Sequence, residues 1–265
     1  MQYKDICFDA MEVVRKAAVF VRERHENRNE LSIEEKGRQN FVTEVDLEAE
    51  RILVDGLSKV LPEAGFVAEE GTSTLKGKTY QWVVDPIDGT TNFIHGVFPF
   101  AISVGLTRED EVVLGIIYEF GLDEYFYAWK GGGAWLNGKA IQASKVKTVE
   151  QSLIATGFPY TNFTYLEEIK LSLDFFMKNS HGLRRLGSAA TDIAYVACGR
   201  YDGFYEYGLH PWDIAAGMIL VKEAGGEISD FKGQLFPLYQ DTFIASNSQI
   251  YNEFQEAVQQ IMIPG

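Results

Sequence analysis

The chain contains little cysteine, with only Cys7 and Cys198 among its 265 residues. Two cysteines cannot build the dense disulfide framework of a small secreted domain, and such scarcity is typical of a reducing compartment. The sequence after Met1 also lacks the apolar core of a signal peptide, and no stretch approaches the roughly 20 apolar residues that span a bilayer. These absences predict a cytoplasmic protein with no membrane partner.

Positive charge is also scarce. The chain has 24 lysines and arginines against 38 aspartates and glutamates, which gives a formal net charge of -14. Because such a chain repels a nucleic-acid backbone, we predict no nucleic-acid partner. A phosphate monoester can still bind where bound cations reverse the local sign of the charge.

The first half of the chain predicts two helices followed by a sheet. Apolar residues recur at helical spacing over residues 3–25 and 47–60, and the polar stretch 26–41 between them is predicted to be a mobile connection. Short apolar runs then follow one another over residues 66–141, with Asn137-Gly138 as a tight hairpin turn. Consecutive strands with short connections predict an antiparallel sheet.

The second half predicts alternating strands and helices, with no internal repeat and no flexible linker. We therefore predict two lobes, residues 1–147 and 148–265, that share one continuous core. The predicted strands cover 153–156, 203–207, 227–231 and 242–246, and the predicted helices cover about 162–179, 188–199, 211–224 and the chain from 248.

Residues 82–93 combine a buried strand with a group of oxygen ligands. A short apolar run ends in Asp85 and Asp88, and Pro86 between them lacks the N–H that a regular ladder needs. Both carboxylates and the main-chain carbonyl of Ile87 can therefore converge just beyond the strand. Such ligands suit Mg²⁺, which takes one or two carboxylates and shares its other positions with water and phosphate.

The residues that follow suit an anion. Gly89, Thr90 and Thr91 can open a helix whose first N–H groups face a phosphate. A cation site beside an anion site is the layout of a metal-assisted phosphatase. The alternative is an ordinary strand-ending turn, because Asp-Gly is common in turns.

Other polar residues also have two interpretations. Asp46 lies where a helix is predicted to begin and Asp213 follows Pro211 at another such point, so helix capping alone accounts for both. Residues 187–191 equally fit a capped helix whose small residues pack closely. His210 is assigned no role.

Several segments together resemble the inositol monophosphatase family, part of the lithium-sensitive, Mg²⁺-dependent sugar-phosphatase superfamily. Residues 85–93 (Asp-Pro-Ile-Asp-Gly-Thr-Thr-Asn-Phe) resemble its first signature and residues 212–217 (Trp-Asp-Ile-Ala-Ala-Gly) its second. Residues 68–70 resemble the acidic end of its upstream strand, residues 42–46 the segment with the aspartate partner of the catalytic threonine, and residues 187–190 its sugar-side helix start. The matches occur in family order over nearly the whole chain.

The resemblance implies an α+β or α/β fold, a layered α-β-α-β-α sandwich with an antiparallel sheet in the N-terminal half and a mixed sheet in the C-terminal half. It also implies up to three Mg²⁺ ions per subunit and a homodimer. The N-terminal lobe would carry most metal ligands, and the C-terminal lobe the sugar-side contacts. The implied metal ligands are Glu69, Asp85, Ile87, Asp88 and Asp213. The implied catalytic residues are Asp46, Glu69 and Thr90. The implied substrate contacts are Asp88, Gly89, Thr90, Gly187, Ser188, Ala189, Glu206 and Asp213.

Electrostatics supports metal binding if these residues do converge. Two like charges about 4 Å apart repel by roughly 4 kcal/mol at an effective dielectric constant near 20. A cluster of carboxylates stays ionised only beside cations, and otherwise takes up protons. The carboxylates concerned are Asp46, Glu69, Asp85, Asp88 and Asp213.

We predict Mg²⁺-dependent hydrolysis of inositol 1-phosphate to inositol and phosphate, by metal-activated water whose proton passes towards Thr90 and Asp46. One alternative is a related phosphatase acting on fructose 1,6-bisphosphate, histidinol phosphate, a nucleotide 3'-phosphate or NADP. A bisphosphate would need basic residues near the sugar, for which Arg184 and Arg185 are candidates. Another alternative is a metal-bound, non-catalytic interaction protein. Lys36 matches a lysine near the family's metal site but equally suits a solvated loop.

Overall fold

The computed structural model describes residues 2–28, 33–37, 40–73, 75–159, 162–235 and 238–263, with 33–37 and 40–43 described by their backbone alone. In these ranges the helices are α1 (Tyr3–Glu26), α2 (Glu44–Val60), α3 (Thr90–His95), α4 (Leu166–Asn179), α5 (Ala189–Ala197), α6 (Pro211–Glu223) and α7 (Tyr251–Met262). The strands are β1 (Ile33–Gly37), β2 (Asn40–Thr43), β3 (Gly65–Ala68), β4 (Tyr80–Asp88), β5 (Ala101–Arg108), β6 (Glu111–Glu119), β7 (Glu124–Trp129), β8 (Ala134–Leu136), β9 (Lys139–Ile141), β10 (Leu153–Thr156), β11 (Gly182–Arg184), β12 (Gly203–Tyr207), β13 (Gly226–Ser229) and β14 (Thr242–Asn247). Across these same ranges, no helix is both long and apolar enough to cross a bilayer.

The elements stack in five layers, which confirms the predicted α-β-α-β-α sandwich. Helices α1 and α2 pack on one face of the large sheet, and α5 and α6 lie between that sheet and the second one. Helices α4 and α7 cover the outer face of the second sheet. The middle layer buries side chains from both halves of the chain, among them Val83, Ile117, Ile193 and Ile214. The predicted lobe boundary at residue 147 remains a prediction.

The large sheet has the strand order β3-β4-β5-β6-β7-β8-β9. Its pairs are antiparallel, as predicted, except that β3 runs parallel to β4 with Ala68 beside Val84. Parallel strands end at the same edge of a sheet. The chain that leaves β3 therefore meets the chain that leaves β4, and both carry acidic residues at that point.

The second sheet is mixed, as predicted, with the order β11-β10-β12-β14-β13. Strand β12 runs parallel to β10 and antiparallel to β14. The sequence pattern did not predict β11, which is short and pairs in parallel with β10. The end of β12 leads directly into α6, so the candidate site residues of the second half lie near one edge of the second sheet.

Two local predictions were wrong. Residues 26–41, predicted to be a mobile connection, contain β1 and the start of β2, which pair as an antiparallel hairpin. A polar composition does not prevent this pairing, because ladder bonds join backbone groups. Strand β4 also continues through Pro86 to Asp88, with a register shift after Asp85 that absorbs the missing donor. The prediction for the side chain of Lys36 lies outside the described residues.

Candidate active site

A cleft of about 700 Å³ lies where the edges of the two sheets meet. It gathers residues from the ends of β3, β4 and β12 and from the starts of α3, α5 and α6. The predicted site residues that line it are Glu69, Asp85, Ile87, Asp88, Gly89, Thr90, Gly187, Ser188, Ala189, Glu206 and Asp213. Asp46 lies just behind the lining, bonded to Thr90.

Three aspartates converge in this cleft. Asp85, Asp88 and Asp213 each offer one carboxylate oxygen, and these oxygens all lie within 4.8 Å of one another. Asp85 and Asp88 flank the irregular end of β4, and Asp213 arrives in the first turn of α6. The bulge in β4 lets both of its aspartates face the same point.

Each of these carboxylates also bonds to the fold. Asp85 Oδ1 accepts the N–H of Ile87 at 2.9 Å, and Asp213 Oδ2 accepts the N–H of His210 at 2.7 Å. Asp88 Oδ2 accepts the Ser188 hydroxyl at 2.5 Å and the N–H of Ala190 at 2.8 Å. These hydrogen bonds orient the three carboxyl groups. Capping and metal binding are compatible duties for Asp213.

Glu69 reaches the cluster because β3 and β4 are parallel. Its N–H bonds to the carbonyl of Val84 at 3.2 Å, and its carboxyl group shares a hydrogen bond with Asp85. The chain after it is fixed by Glu50, a fully buried residue of α2. Glu50 accepts the N–H groups of Glu70 and Thr72, each at 2.7 Å. These two short hydrogen bonds from one buried side chain hold the turn that carries Glu69.

Thr90 and Asp46 form a hydroxyl–carboxylate pair beside the cluster. Thr90 Oγ1 lies 3.3 Å from Asp46 Oδ1 and 3.0 Å from the carbonyl oxygen of Ile87. A hydroxyl has a single proton to donate, so only one of these acceptors can take it at a time. Asp46 is 1% exposed and lies in the first turn of α2.

Two glycines let the two sides of the cleft approach closely. Gly89 has φ +93° and Gly187 has φ +94°, conformations that favour glycine. A Cβ at Gly89 would lie 3.0 Å from the carbonyl oxygen of Gly187. Asn92 in α3 ties the same regions together, since its Nδ2 donates to the carbonyls of Pro99 at 2.7 Å and Leu186 at 2.8 Å.

The predicted sugar side contains two further carboxyl groups, one half-buried and one buried. Glu206 lies at the end of β12, so close to Gly157 that a Cβ there would be 1.9 Å from Glu206 Oε1. Asp192 of α5 also lines the cleft. Arg185 lines it too, with its guanidinium carbon 5.3 Å from the centre of the Phe158 ring. Arg184, by contrast, bonds to the neighbouring carbonyl of Leu183.

Burial raises the pKa of four carboxyl groups here, and repulsion adds to the effect in all of them except Asp88; the four are Glu69, Asp85, Asp88 and Asp213. The pKa of Glu69 rises to about 8 through burial and the charge of Asp213, and the pKa of Asp213 rises to about 8 through burial and the charge of Asp88. Burial and Glu69 raise the pKa of Asp85 well above its usual value. The pKa of Asp88 rises only to about 6, because donors in the first turn of α5 offset its burial. Cations would relieve this repulsion.

We expect these shifts to make metal binding release protons. Adding Mg²⁺ near pH 7 should expel protons from Glu69 and Asp213, because a cation favours their ionised forms. Calorimetry in buffers of different ionisation enthalpy measures the number released. Identical heats in all buffers would mean that no protons are released, which would contradict the raised pKa values of the cluster. Glu69→Gln should lower the number of protons released.

The same shifts predict a pH-dependent stability when divalent cations are chelated. The folded pKa values of Glu69 and Asp213 lie above their ordinary values of 4.5 and 3.8, so their contribution favours folding at low pH and is lost as pH rises through about 8. The melting temperature in EDTA should therefore fall between pH 5 and pH 9, estimated from these pKa values. Excess Mg²⁺ should reduce that fall.

The sequence pattern missed Glu50, Asn92 and Asp192. Glu50 follows Asp46 by four residues, which places both on one face of α2 and was the available signal. Asp192 stands out as the charged residue of an otherwise apolar helix. Nothing in the local sequence indicates the role of Asn92, because its partners are distant along the chain.

Known proteins resemble this chain over most of its length. The sequence profile of the inositol monophosphatase family matches residues 3–262. An inositol-1-monophosphatase of Rhizobium meliloti is 40% identical over 231 residues, 86% of each chain. A fructose-1,6-bisphosphatase/inositol-1-monophosphatase of Thermotoga maritima is 40% identical, with 87% of this chain and 88% of that protein covered. A protein of Pseudomonas aeruginosa named Nus factor SuhB is 37% identical over 96% of each chain.

A solved structure has the same fold. The crystal structure of the extragenic suppressor protein suhB from Bartonella henselae superposes with a TM-score of 0.90 at 36% identity. The superposition covers 96% of this chain and 98% of that chain.

Proposed function

Because the chain belongs to the inositol monophosphatase family, we propose that it hydrolyses inositol 1-phosphate with Mg²⁺ as its cofactor. The chain is a phosphatase enzyme, since relatives 40% and 41% identical over 86% of its length are inositol-1-monophosphatases. The observation that carries the proposal is the convergence of three aspartates beside the Thr90–Asp46 pair.

The donor set suits a divalent cation. Carboxylate oxygens of Asp85, Asp88 and Asp213 lie within 4.8 Å of one another, and Glu69 and the carbonyl of Ile87 adjoin them. An all-oxygen set with few protein ligands is what Mg²⁺ prefers, because it keeps positions for water and phosphate. We propose that these five residues hold up to three ions. When bound, the ions polarise the phosphate and lower the pKa of the attacking water.

We propose that Thr90 and Asp46 remove the proton of that water. If the Ile87 carbonyl holds a cation, the Thr90 hydroxyl would donate to Asp46. Its oxygen would then accept the proton of a water molecule in the cleft as its own proton passes to the Asp46 carboxylate. The pair orients the attacking water and draws its proton towards the buried carboxylate. Asp46 and Glu50 share α2, so the acceptor is held by a rigid element.

The remaining site residues bind and orient the substrate in this proposal. The first N–H groups of α3, after Gly89, face the phosphate and stabilise its developing charge. Ser188 and Ala189 at the start of α5 and Glu206 at the end of β12 contact the polyol. Asp88 links the two groups, because it faces the cluster and accepts hydrogen bonds from α5.

The choice of substrate is tested by phosphate release across a panel. We expect inositol 1-phosphate to show the highest kcat/KM, ahead of fructose 1,6-bisphosphate, histidinol phosphate, a nucleotide 3'-phosphate and NADP. Release should stop in EDTA and return with Mg²⁺. A preference for the bisphosphate would favour the activity named in the Thermotoga relative, and would draw on Arg185 in the cleft.

A non-catalytic interaction protein is the second candidate, and the relatives named Nus factor SuhB favour it. That role predicts a folded, metal-binding protein that releases no phosphate from any member of the panel. The intact Thr90–Asp46 pair argues for catalysis, because metal binding alone does not need it.

We also propose a homodimer in the cytoplasm. The dimer is implied by the family resemblance, and the location by the scarcity of cysteine. Light scattering coupled to size exclusion should give a mass near twice 29.8 kDa. A mass equal to that of one chain would contradict the dimer.

A further inference from the structure

Asp192 is a buried acidic residue with no duty in the machinery described so far. It is 1% exposed and lies in α5, whose other residues are uncharged. Among the residues that the structure describes, its Oδ1 atom has no hydrogen-bond partner. Buried polar groups are nearly always bonded, so an unbonded carboxylate oxygen needs an explanation.

A structural role does not explain this side chain. The start of α5 is already capped by Ser188, whose hydroxyl oxygen accepts the N–H of Thr191 at 3.3 Å. Burying a carboxyl group without its hydrogen bonds destabilises the fold, and an apolar residue would suit the helix better. Asp192 nevertheless lines the cleft rather than the interior of a core.

Glu206 places a second, half-buried carboxyl group near Asp192. Burial raises the pKa of both groups. The charges of Glu206 and Asp88 raise the pKa of Asp192 further, and the charges of Asp213 and Asp88 raise that of Glu206. The close approach of Gly157 leaves no room for a side chain on that side of Glu206. Positive charge comes from Arg185, which lines the same cleft and acts on both groups.

The carboxyl oxygens of Asp192 and Glu206 suit a bound molecule that carries hydrogen-bond donors. Carboxyl oxygens in a largely desolvated wall bind hydroxyl groups well, and a site built this way rejects molecules that lack them. An aryl or simple alkyl group would leave both carboxyl groups unsatisfied. A polyol with neighbouring hydroxyl groups satisfies both.

We propose that Asp192 is a specificity-determining residue, which together with Glu206 binds two hydroxyl groups of the substrate's polyol. The inference rests on the proposed function and deepens it, because it assigns a hydroxyl contact to a residue outside the predicted set. In this proposal the two carboxyl groups favour polyol phosphates over monoesters that lack hydroxyl groups. It leaves the hydrolytic step itself to Thr90, Asp46 and the cation ligands.

The test compares Asp192→Asn with the unmodified enzyme on inositol 1-phosphate and on phenyl phosphate, in saturating Mg²⁺. We expect KM for inositol 1-phosphate to rise about tenfold or more, because the amide replaces one acceptor oxygen with an NH2 donor and a hydrogen bond to the polyol is lost. The kcat for inositol 1-phosphate and both constants for phenyl phosphate should change less than about twofold. The melting temperature should not fall, because a neutral amide is easier to bury than a carboxylate.

Monodeoxy analogues of inositol 1-phosphate complete a double-mutant cycle. The analogue that lacks the hydroxyl bound by Asp192 should bind the unmodified enzyme more weakly, and Asp192→Asn should bind it and the parent nearly equally. Asp192→Ala, which removes the acceptor altogether, should reproduce the pattern if the asparagine variant fails to fold.

The outcomes separate the inference from the proposed function. If the unmodified enzyme does not prefer inositol 1-phosphate over phenyl phosphate, the proposed function fails and the inference fails with it. If that preference exists and survives in both Asp192 variants, the inference alone is overturned. Equal losses on both substrates with a lower melting temperature would also overturn it, because they show a structural role.

Discussion

Replacing Asp85 with asparagine is expected to abolish most phosphatase activity while leaving the fold intact. Asp85 interacts electrostatically with Glu69 and with both other aspartates, so its charge acts on the whole cluster. Cation-mediated stabilisation is worth several kcal/mol, and each 1.36 kcal/mol is a factor of ten. We therefore expect kcat/KM for inositol 1-phosphate to fall at least about 10³-fold. Calorimetry should show a matching loss of Mg²⁺ affinity.

The asparagine side chain keeps the bond to the fold. Its amide oxygen can accept the N–H of Ile87, as Asp85 Oδ1 does. The melting temperature in EDTA should therefore not fall, and should rise if repulsion in the cluster is relieved. Asp174→Asn is a matched control, because Asp174 lies on the surface in a salt bridge with Lys178. Near-normal turnover of Asp85→Asn in saturating Mg²⁺ would refute the proposed cation site.

Replacing Thr90 with alanine should separate catalysis from metal binding. The variant loses the hydroxyl that bonds to Asp46 and that we propose connects the attacking water to it. Losing a partner in general base catalysis costs on the order of 10²-fold or more in kcat. Mg²⁺ affinity should change little, because no cation ligand is removed. Steady-state rates and calorimetry on the same preparation measure both quantities.

Two further variants control the Thr90 experiment. Thr90→Ser keeps the hydroxyl and should retain most of kcat. Asp46→Asn should lose about as much as Thr90→Ala, and the double variant little more, because residues that act as a unit are not additive. A Thr90→Ala enzyme impaired only in KM would show that Thr90 merely binds phosphate.

The sequence predicted those parts of the molecule that depend on short segments. Asp85 and Asp88 converge because Pro86 between them has no N–H to donate to the neighbouring strand. The shift in register of β4 occurs at this point. Gly89 likewise marks the turn into α3, and it has the positive φ that glycine adopts readily. Such features are encoded within a few residues, so a pattern can reveal them.

The features that the sequence did not predict depend on contacts between distant segments. The parallel pairing of β3 with β4 sets Glu69 beside Asp85, and short connections alone suggested antiparallel strands. Asn92 acts through carbonyls at Pro99 and Leu186, the second of which is 94 positions away. The apolar surroundings of Asp192 in the sequence are typical of a core helix, and only the position of α5 in the fold shows that Asp192 lines the cleft.

Helix α2 has a consequence for how this enzyme can change over evolution. Asp46 and Glu50 lie four residues apart on it, and one serves the Thr90 hydroxyl while the other fixes the turn that carries Glu69. Inserting one residue between them would rotate one carboxylate by about 100° relative to the other, because a helical turn takes 3.6 residues. The proposed proton acceptor, Asp46, and the proposed cation ligand, Glu69, therefore cannot change position independently. The proposed polyol contacts lie on α5 and β12, which are separate elements and can vary without disturbing α2. Proteins of this fold can therefore change substrate while they keep the same hydrolytic residues.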